Sequence, residues 1–431
     1  MHGRILIRLL TALLMALTWP AHAVIDGIQG VVQNGVRHFD LTAGINHVVT
    51  PDGGSLQIWG YGPTGGVPQY PGPTLIVNAG DTVSVTLRNT LPVNVSLIFP
   101  GQENVTATGG TTGQITREVP AGSSGVVTYT FQASRPGTFM YQSGTRMDLE
   151  VEMGLFGALI VRPGAPNQAY DHPGTAYDRE YLFVLSEMDP RIHEQAAFGN
   201  INDIDTTDHN PVLWFINGRN GPDTLANAGV PWLPSQPYNS LPRMHPGETI
   251  LLRLVGAGRD AHPFHTHGNH TLQIARDGHM LSSDPALGPN LAMSNFTITV
   301  APGATYDALF TWTGAGMGWD IYGHTESDNI ECVPDASGHD VTTREYCPDH
   351  EKPFPVALPD LQDLTLGGFY SGSPFLGSMT TLPPGEGGLN PNGGMVFMWH
   401  SHTERELVNF DIFPGGMMTM LMIEPHGVEI P

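Results

Sequence analysis

The chain has 431 residues, of which 41 are acidic and 18 are lysine or arginine, so its formal net charge is −23. This balance repels nucleic acid and anionic membrane surfaces, and it suits either a protein that attracts cations or one with a solubilising acidic surface. The length is sufficient for two or three domains with ordinary cores.

The first 23 residues have the pattern of a cleavable secretory signal. Arg4 and Arg8 precede a short apolar run at residues 9–19, and the small residues Ala21 and Ala23 follow it. The run is shorter than the ~20 residues that a membrane-spanning helix needs, and no run of that length follows it. We therefore predict a signal peptide at residues 1–23, a periplasmic or extracellular location and no membrane span.

Short apolar segments separated by turn residues dominate the rest of the chain, which contains 53 glycines and 37 prolines. Residues 82–87 alternate threonine or serine with valine or leucine, and residues 126–131 follow a similar pattern. Such segments predict many short strands joined by turns. No long amphipathic helical stretch competes with them, so the sequence predicts an all-β protein.

A weak internal repeat divides the chain into two halves. A turn at residues 78–81 and the strand-like segment 83–88 recur as a turn at 245–248 and the segment 250–253. Two copies of one unit indicate two Greek-key β-sandwich domains rather than one large domain. We predict these domains at residues 24–165 and 178–431.

The second copy contains a polar insertion around residues 316–394. An insertion of this length within a compact domain is uncommon and is usually either functional or poorly ordered. It holds both cysteines of the chain, Cys332 and Cys347. In an oxidising compartment this pair predicts one disulfide that closes the loop rather than metal ligands.

Two pairs of histidines are the strongest candidates for metal ligands. His265 and His267 stand two residues apart, so in a strand they point to the same face, and the same holds for His400 and His402 about 130 residues later. Two neighbouring strands could thus build a site of four imidazoles. Imidazole ligands suit copper, zinc, iron and nickel, and raw affinity favours Cu(II).

Six other histidines have weaker claims to a metal. We interpret them as surface or hydrogen-bonded residues without a ligand role. They are His270, His279, His324, His339, His350 and His426.

Both histidine motifs resemble those of the multicopper oxidase family. Residues 262–268, His-Pro-Phe-His-Thr-His-Gly, are similar to the family's third copper motif, and residues 400–402, His-Ser-His, are similar to its fourth. In the first half, residues 71–74 and 154–161 resemble the opening and the end of the family's first domain. The resemblance implies cupredoxin-like domains, copper as the cofactor and oxidoreductase activity.

Half of the family's copper ligands are missing from this chain. Residues 98–101 read Ile-Phe-Pro-Gly where the family's first motif reads His-Trp-His-Gly, and residues 142–144 read Gln-Ser-Gly where its second reads His-Ser-His. The family's blue copper centre needs a cysteine thiolate at the position of Ser401. Glu406 stands where a further histidine of that centre is expected, and His262 is its one clear remnant.

The expected metal ligands are therefore the two histidine pairs together with His262. Three further residues near the fourth motif are weaker candidates, namely Glu404, Glu406 and Met417.

These observations predict an exported copper-binding protein, an atypical copper-dependent oxidoreductase without a blue centre and with a partial trinuclear site. One alternative is a non-catalytic copper carrier or structural subunit. Another is a different metal, zinc or manganese, near the acidic residues 403–406. Two-domain members of the family assemble as trimers, so a homotrimer or larger assembly is also an expectation. The sequence does not indicate a substrate or a redox partner.

Overall fold

The computed structural model describes residues 25–324, 327–353, 372–373, 391–392 and 394–430. The predicted signal peptide at residues 1–23 lies outside the described residues, as does much of the predicted insertion at 316–394. Among the described residues, no helix is long and apolar enough to cross a membrane.

The fold is nearly all β, which confirms the predicted fold class. The strands of the first half are β1 (Val31–Gln33), β2 (Val36–Val49), β3 (Ser55–Pro63), β4 (Gly72–Asn78), β5 (Thr82–Asn89), β6 (Thr106–Gly109), β7 (Thr111–Thr112), β8 (Arg117–Glu118), β9 (Val127–Gln132), β10 (Gly137–Gln142) and β11 (Phe156–Arg162).

The second half has thirteen strands in the described residues. They are β12 (Arg179–Met188), β13 (Leu213–Ile216), β14 (Arg243–Met244), β15 (Thr249–Gly256), β16 (His262–Thr266), β17 (Thr271–Arg276), β18 (His279–Met280), β19 (Met293–Asn295), β20 (Thr297–Val300), β21 (Thr305–Thr311), β22 (Gly372–Ser373), β23 (Met395–Ser401) and β24 (Met418–Ile423).

Helices are short and lie in the connections between strands. The α-helices are α1 (Met147–Glu150) and α2 (Pro190–Ala197), and the 3-10 helices are Pro173–Thr175, Asp223–Leu225, Pro285–Leu287, Cys347–Asp349 and Glu404–Leu407.

Strand β5 shows why these segments form sheets. Val83, Val85 and Leu87 alternate along it and are fully buried in the core of the first half, whereas Thr82 before them and Thr86 between Val85 and Leu87 are partly exposed. Burial of one face of the alternating pattern stabilises the strand, and β5 pairs with β2 and β9.

The internal repeat recurs in the sheet topology. The first half contains the strand order β2-β5-β9-β6, with β2 parallel to β5, and the second contains β12-β15-β21-β17, with β12 parallel to β15. A second sheet faces each of these across an apolar core, built around β10-β11-β4 in the first half and β23-β24-β14 in the second. The boundaries at 24–165 and 178–431 stay a prediction.

The two halves pack closely against each other. A shared apolar cluster includes Ile160 of the first half and Val184 of the second, both essentially without exposure to solvent. Beside it, the carboxylate of Glu180 forms ion pairs with Arg162 of the first half and Arg253 of the second. These contacts hold the two halves in one arrangement.

The beginning of the insertion, up to residue 353, packs near the end of β21. Cys332 and Cys347 form a disulfide there, with 5.6 Å between their Cα atoms. The predicted disulfide is therefore confirmed.

Candidate metal centre

Strands β16 and β23 bring the two histidine motifs together. They pair antiparallel, with His265 directly opposite His400 and Phe264 opposite Ser401. Residues opposite each other on one face of a sheet have Cβ atoms about 5 Å apart. Because the strands run in opposite directions, His267 lies beside Met398 and His402 lies beside Pro263, one on each side of the opposed pair His265 and His400.

The four rings are in contact. The centroid of the His265 ring lies 4.8 Å from that of His267, 5.3 Å from that of His400 and 4.9 Å from that of His402. One ligand atom from each of His265, His267 and His400 lies within 4.8 Å of the other two. The structure thus brings together all four histidines of the two predicted pairs.

Hydrogen bonds orient three of these rings. The Nδ1 atom of His400 lies 2.6 Å from the carbonyl oxygen of Ser401, which can only accept, so Nδ1 carries the proton and Nε2 has a free lone pair. That Nε2 lies 3.3 Å from Nε2 of His267. The Nδ1 atom of His265 lies 2.9 Å from the hydroxyl of Thr297. The Nε1–H of Trp399 donates to the carbonyl of His267.

Two of the imidazoles remain neutral well below neutral pH. Burial and the adjacent His267, His400 and His402 lower the pKa of His265 to about 4. Burial likewise lowers the pKa of His400 to about 4. The hydrogen bond from its Nδ1–H to the Ser401 carbonyl opposes this shift, and the adjacent His267 and His402 add to it. A neutral imidazole keeps the lone pair that a metal ion requires.

The centre is open to solvent on one side. His265 and His400 are buried, whereas the side chain of His402 is 51% exposed. The carboxylate of Glu404 lies 3.4 Å from Nδ1 of His402 and is itself largely exposed. A small molecule can therefore approach the four histidines from the side of His402.

His262 contacts a different set of residues. Its ring is fully buried, with Nδ1 2.9 Å from the carboxylate of Glu406 and Nε2 2.9 Å from that of Glu187. Burial alone would lower the pKa of His262, but the hydrogen bonds to Glu187 and Glu406 outweigh it and raise the pKa to about 9. The ring is thus an imidazolium at neutral pH and offers no lone pair to a metal in this arrangement.

The weaker candidates also lie apart from the four-histidine centre. Glu406 is bound to His262, and Met417 is fully buried in the apolar core of the second half. We leave His262, Glu406 and Met417 out of the ligand set proposed below, and their assignment as ligands stays an untested prediction. Glu187 is not identifiable from the sequence, because nothing in strand β12 marks it as the partner of a histidine 75 residues later.

The first half contains the same strand pairing without the histidines. Ile98 and Gln142 form an antiparallel bridge and exchange both backbone hydrogen bonds, at 2.8 and 3.1 Å. This bridge corresponds to the pairing of His265 with His400 in the second half. The adjacent Phe99 is buried against other aromatic rings of the core.

The donor set of the centre fits copper. Four imidazoles, two of them held neutral by burial, are ligands that copper prefers, and zinc, iron and nickel also accept them. The 3.3 Å between Nε2 of His267 and Nε2 of His400 is close to the ~3.3 Å that separates two nitrogen ligands in a tetrahedron with bonds of about 2.0 Å.

Part of the chain is similar to a family model and to known proteins. Residues 46–166 match a family model described as multicopper oxidase. A probable nitrite reductase-hydroxylamine oxidoreductase fusion protein of Kuenenia stuttgartiensis is 28% identical over 255 residues, which cover 57% of this chain and 26% of that protein. Laccase-3 of Arabidopsis thaliana is 26% identical over 255 residues, covering 56% of this chain and 39% of the laccase. The chain thus spans well under half the length of these relatives.

Solved structures share the fold over nearly the whole chain. The blue copper oxidase of Nitrosomonas europaea superposes with a TM-score of 0.56 at 20% identity, covering 91% of this chain and 88% of that one. At this identity the likeness shows the fold alone. The family-model match over residues 46–166 and the laccase relatives thus show that part of the chain is similar to multicopper oxidases.

Proposed function

We propose that the chain is an exported, atypical copper-dependent oxidoreductase whose copper is held by His265, His267, His400 and His402. The observation that carries this proposal is the convergence of four imidazoles on two adjacent strands. The laccases and the probable nitrite reductase fusion protein among the relatives support redox chemistry. Export rests on the signal-like pattern of residues 1–23.

Copper bound at these histidines would supply one-electron exchange and Lewis acidity. The residues of the chain position the ligands and control access. The bond from Nδ1–H of His400 to the Ser401 carbonyl aims Nε2 of His400 at the centre. Thr297 fixes the ring of His265. The exposed edge of His402 admits a small substrate, and Glu404 can hold a proton at Nδ1 of His402.

The proposed metal complement is smaller than that of a laccase. Ile98 and Gln142 pair in the same register as His265 and His400 but bring no imidazole. Ser401 has no thiolate, so the chain cannot build the trigonal His₂Cys geometry of a blue site. We therefore expect copper at the four histidines without intense blue absorption.

Copper loading of the purified full-length chain tests the proposal. The wild-type chain is loaded with Cu(II), dialysed and analysed for copper, in parallel with a His265→Ala/His400→Ala variant and with the matched control His279→Ala, which replaces an exposed histidine. Wild type and control should retain copper at the centre, and the double variant should lose it. Equal copper in the wild-type chain and the double variant would overturn the proposal.

The alternative is a copper carrier or structural subunit without turnover. Ser401 favours it, because the chain has no thiolate at the position through which electrons pass from the family's blue centre. Oxygen consumption with a small electron donor separates the two functions. Copper-dependent turnover that disappears in His265→Ala/His400→Ala supports an enzyme, whereas stoichiometric copper without turnover supports a carrier.

A further inference from the structure

A second cluster of histidines and carboxylates lies in the described part of the insertion, away from the four-histidine centre. Its members are Asp320, His324, Glu345 and His350, which each place one ligand atom within 4.8 Å of the others. The carboxylates are 2% exposed, and the imidazoles of His324 and His350 are 8% and 12% exposed. The sequence alone predicts no ligand role for either histidine.

The distances between the donor atoms match a tetrahedral metal site. The two Nδ1 atoms of His324 and His350 lie 3.2 Å apart, and each is 2.9 Å from an oxygen of Glu345. One oxygen of Asp320 lies 3.3 Å from Nδ1 of His324 and 3.8 Å from Nδ1 of His350. Four ligands with bonds of ~2.0–2.1 Å in a tetrahedron are separated by about 3.3 Å.

The contacts within the cluster leave a buried carboxylate unsatisfied unless a cation is bound. Neither carboxylate oxygen of Glu345 accepts a hydrogen bond, although both are buried and each faces an imidazole nitrogen at 2.9 Å. Burial raises the pKa of Glu345, and the two histidines oppose that rise. A buried carboxylate without donors is costly, and a divalent cation bound to one of its oxygens would compensate its charge.

Neighbouring backbone groups orient the donors. Nε2 of His350 lies 2.9 Å from the carbonyl oxygen of Ile330, so Nε2 carries the proton and Nδ1 presents its lone pair to the cluster. The carboxylate of Asp320 accepts hydrogen bonds from the backbone N–H groups of Tyr322, His324 and Glu351. Such outer hydrogen bonds are typical of the residues that support metal ligands.

Few apolar contacts hold the described residues between 323 and 353 of the insertion. From residue 323 to 353, with 325–326 outside the described residues, no apolar side chain belongs to the buried core. The disulfide between Cys332 and Cys347 closes this segment, and Tyr322 anchors it to the second domain through a hydrogen bond to the carbonyl of Pro246. Small segments without a core commonly use disulfides and structural metals for stability.

We propose that Asp320, His324, Glu345 and His350 form a closed structural site for Zn²⁺. Two imidazoles and two carboxylates are ligands that zinc accepts, and a site whose four positions all come from the protein is structural rather than catalytic. The ion fastens the insertion to the second domain beside the disulfide. This site is independent of copper at the four-histidine centre.

Zinc binding is tested in a full-length chain that lacks the copper centre. A His265→Ala/His400→Ala chain is stripped with a chelator, loaded with Zn²⁺ alone, dialysed and analysed for metal. It should retain one zinc per chain, and adding His324→Ala/His350→Ala should abolish this retention. Adding His339→Ala instead, in the same insertion but outside the cluster, should leave it intact. Failure to retain zinc, or equal retention after His324→Ala/His350→Ala, would overturn the proposal.

Two further measurements keep the test independent of misfolding. Co²⁺ in place of Zn²⁺ should give the visible absorption of a tetrahedral site in the folded chain, and Glu345→Gln, which keeps the side chain's size, should remove that absorption. Trypsin should cleave after the exposed Arg344 more slowly when zinc is bound. Octahedral cobalt spectra, or cleavage that is insensitive to zinc, would contradict a closed structural site.

Discussion

Replacing Glu406 by glutamine should destabilise the protein in a pH-dependent way. The carboxylate of Glu406 accepts a hydrogen bond from Nδ1–H of the fully buried His262, whose other nitrogen donates to Glu187. Glutamine has nearly the same size but no charge, so Glu406→Gln removes half of the compensation for a buried imidazolium. Breaking one partner of a buried charge pair costs about 3–5 kcal/mol, and an isosteric amide recovers part of that loss.

The pKa of His262 determines how this effect varies with pH. A rise from the ordinary 6.5 to about 9 corresponds to about 3 kcal/mol of stability from the protonated ring. Because the folded-state pKa is raised, this contribution is fully present below pH 6.5 and is lost as the pH rises through about 9. The destabilisation by Glu406→Gln should therefore be greatest at pH 6 and much smaller near pH 10.

Urea unfolding of metal-free protein at pH 6, 8 and 10 measures this dependence. The matched control is Glu404→Gln. The carboxylate of Glu404 is 81% exposed, so this change should alter the free energy of unfolding by less than about 1 kcal/mol. The difference between Glu406→Gln and wild type should fall by about 2 kcal/mol or more between pH 6 and pH 10. A difference that is equal at all three pH values would refute the assignment of His262 as a buried imidazolium.

Three other predictions concern the four-histidine centre and the contact between the halves. Because burial and neighbouring imidazoles lower the pKa of His265 and of His400 to about 4, protons should not displace copper from these two nitrogens at pH 5.5, and equilibrium dialysis should show that copper is retained there. In the metal-free protein, the unfolded chain binds protons at these histidines more readily than the folded chain, so the free energy of unfolding falls as the pH falls from 6.5 to 4. His400→Ala should therefore reduce the fall in melting temperature over this pH range. Glu180→Gln leaves the charge of the buried Arg253 less compensated and should lower the free energy of unfolding by about 3–5 kcal/mol in urea. The control Glu103→Gln, in an exposed ion pair, should change it by less than about 1 kcal/mol.

Much of the fold was predictable because local patterns determine it. The alternation of Val83, Val85 and Leu87 can bury one face only as a strand, and turn residues separate many such segments. The recurrence of a turn and strand at residues 78–88 and 245–253 indicated two similar halves, and the sheets show the same order in both. The pairing of β2 with β5 in parallel was not predictable, since it joins segments that are distant along the chain.

The candidate copper centre was predictable only in part. The spacing of His265 and His267, and of His400 and His402, indicated that each pair shares one face of a strand. That the two pairs meet depends on the register between β16 and β23, which no local pattern specifies. The contacts of His262 were also not predictable, because its partner Glu187 belongs to strand β12, which is distant along the chain.

The sequence by itself thus determined the all-β class, the two halves, the paired histidines and the missing first-domain ligands, since each follows from the identity and spacing of neighbouring residues. Only the tertiary structure decided which distant side chains meet. It placed His262 between two carboxylates and gathered His324 and His350 around Glu345. The physical reason is that ligand sets and buried charge pairs depend on distances of a few ångströms across strands and loops, which sequence separation does not encode.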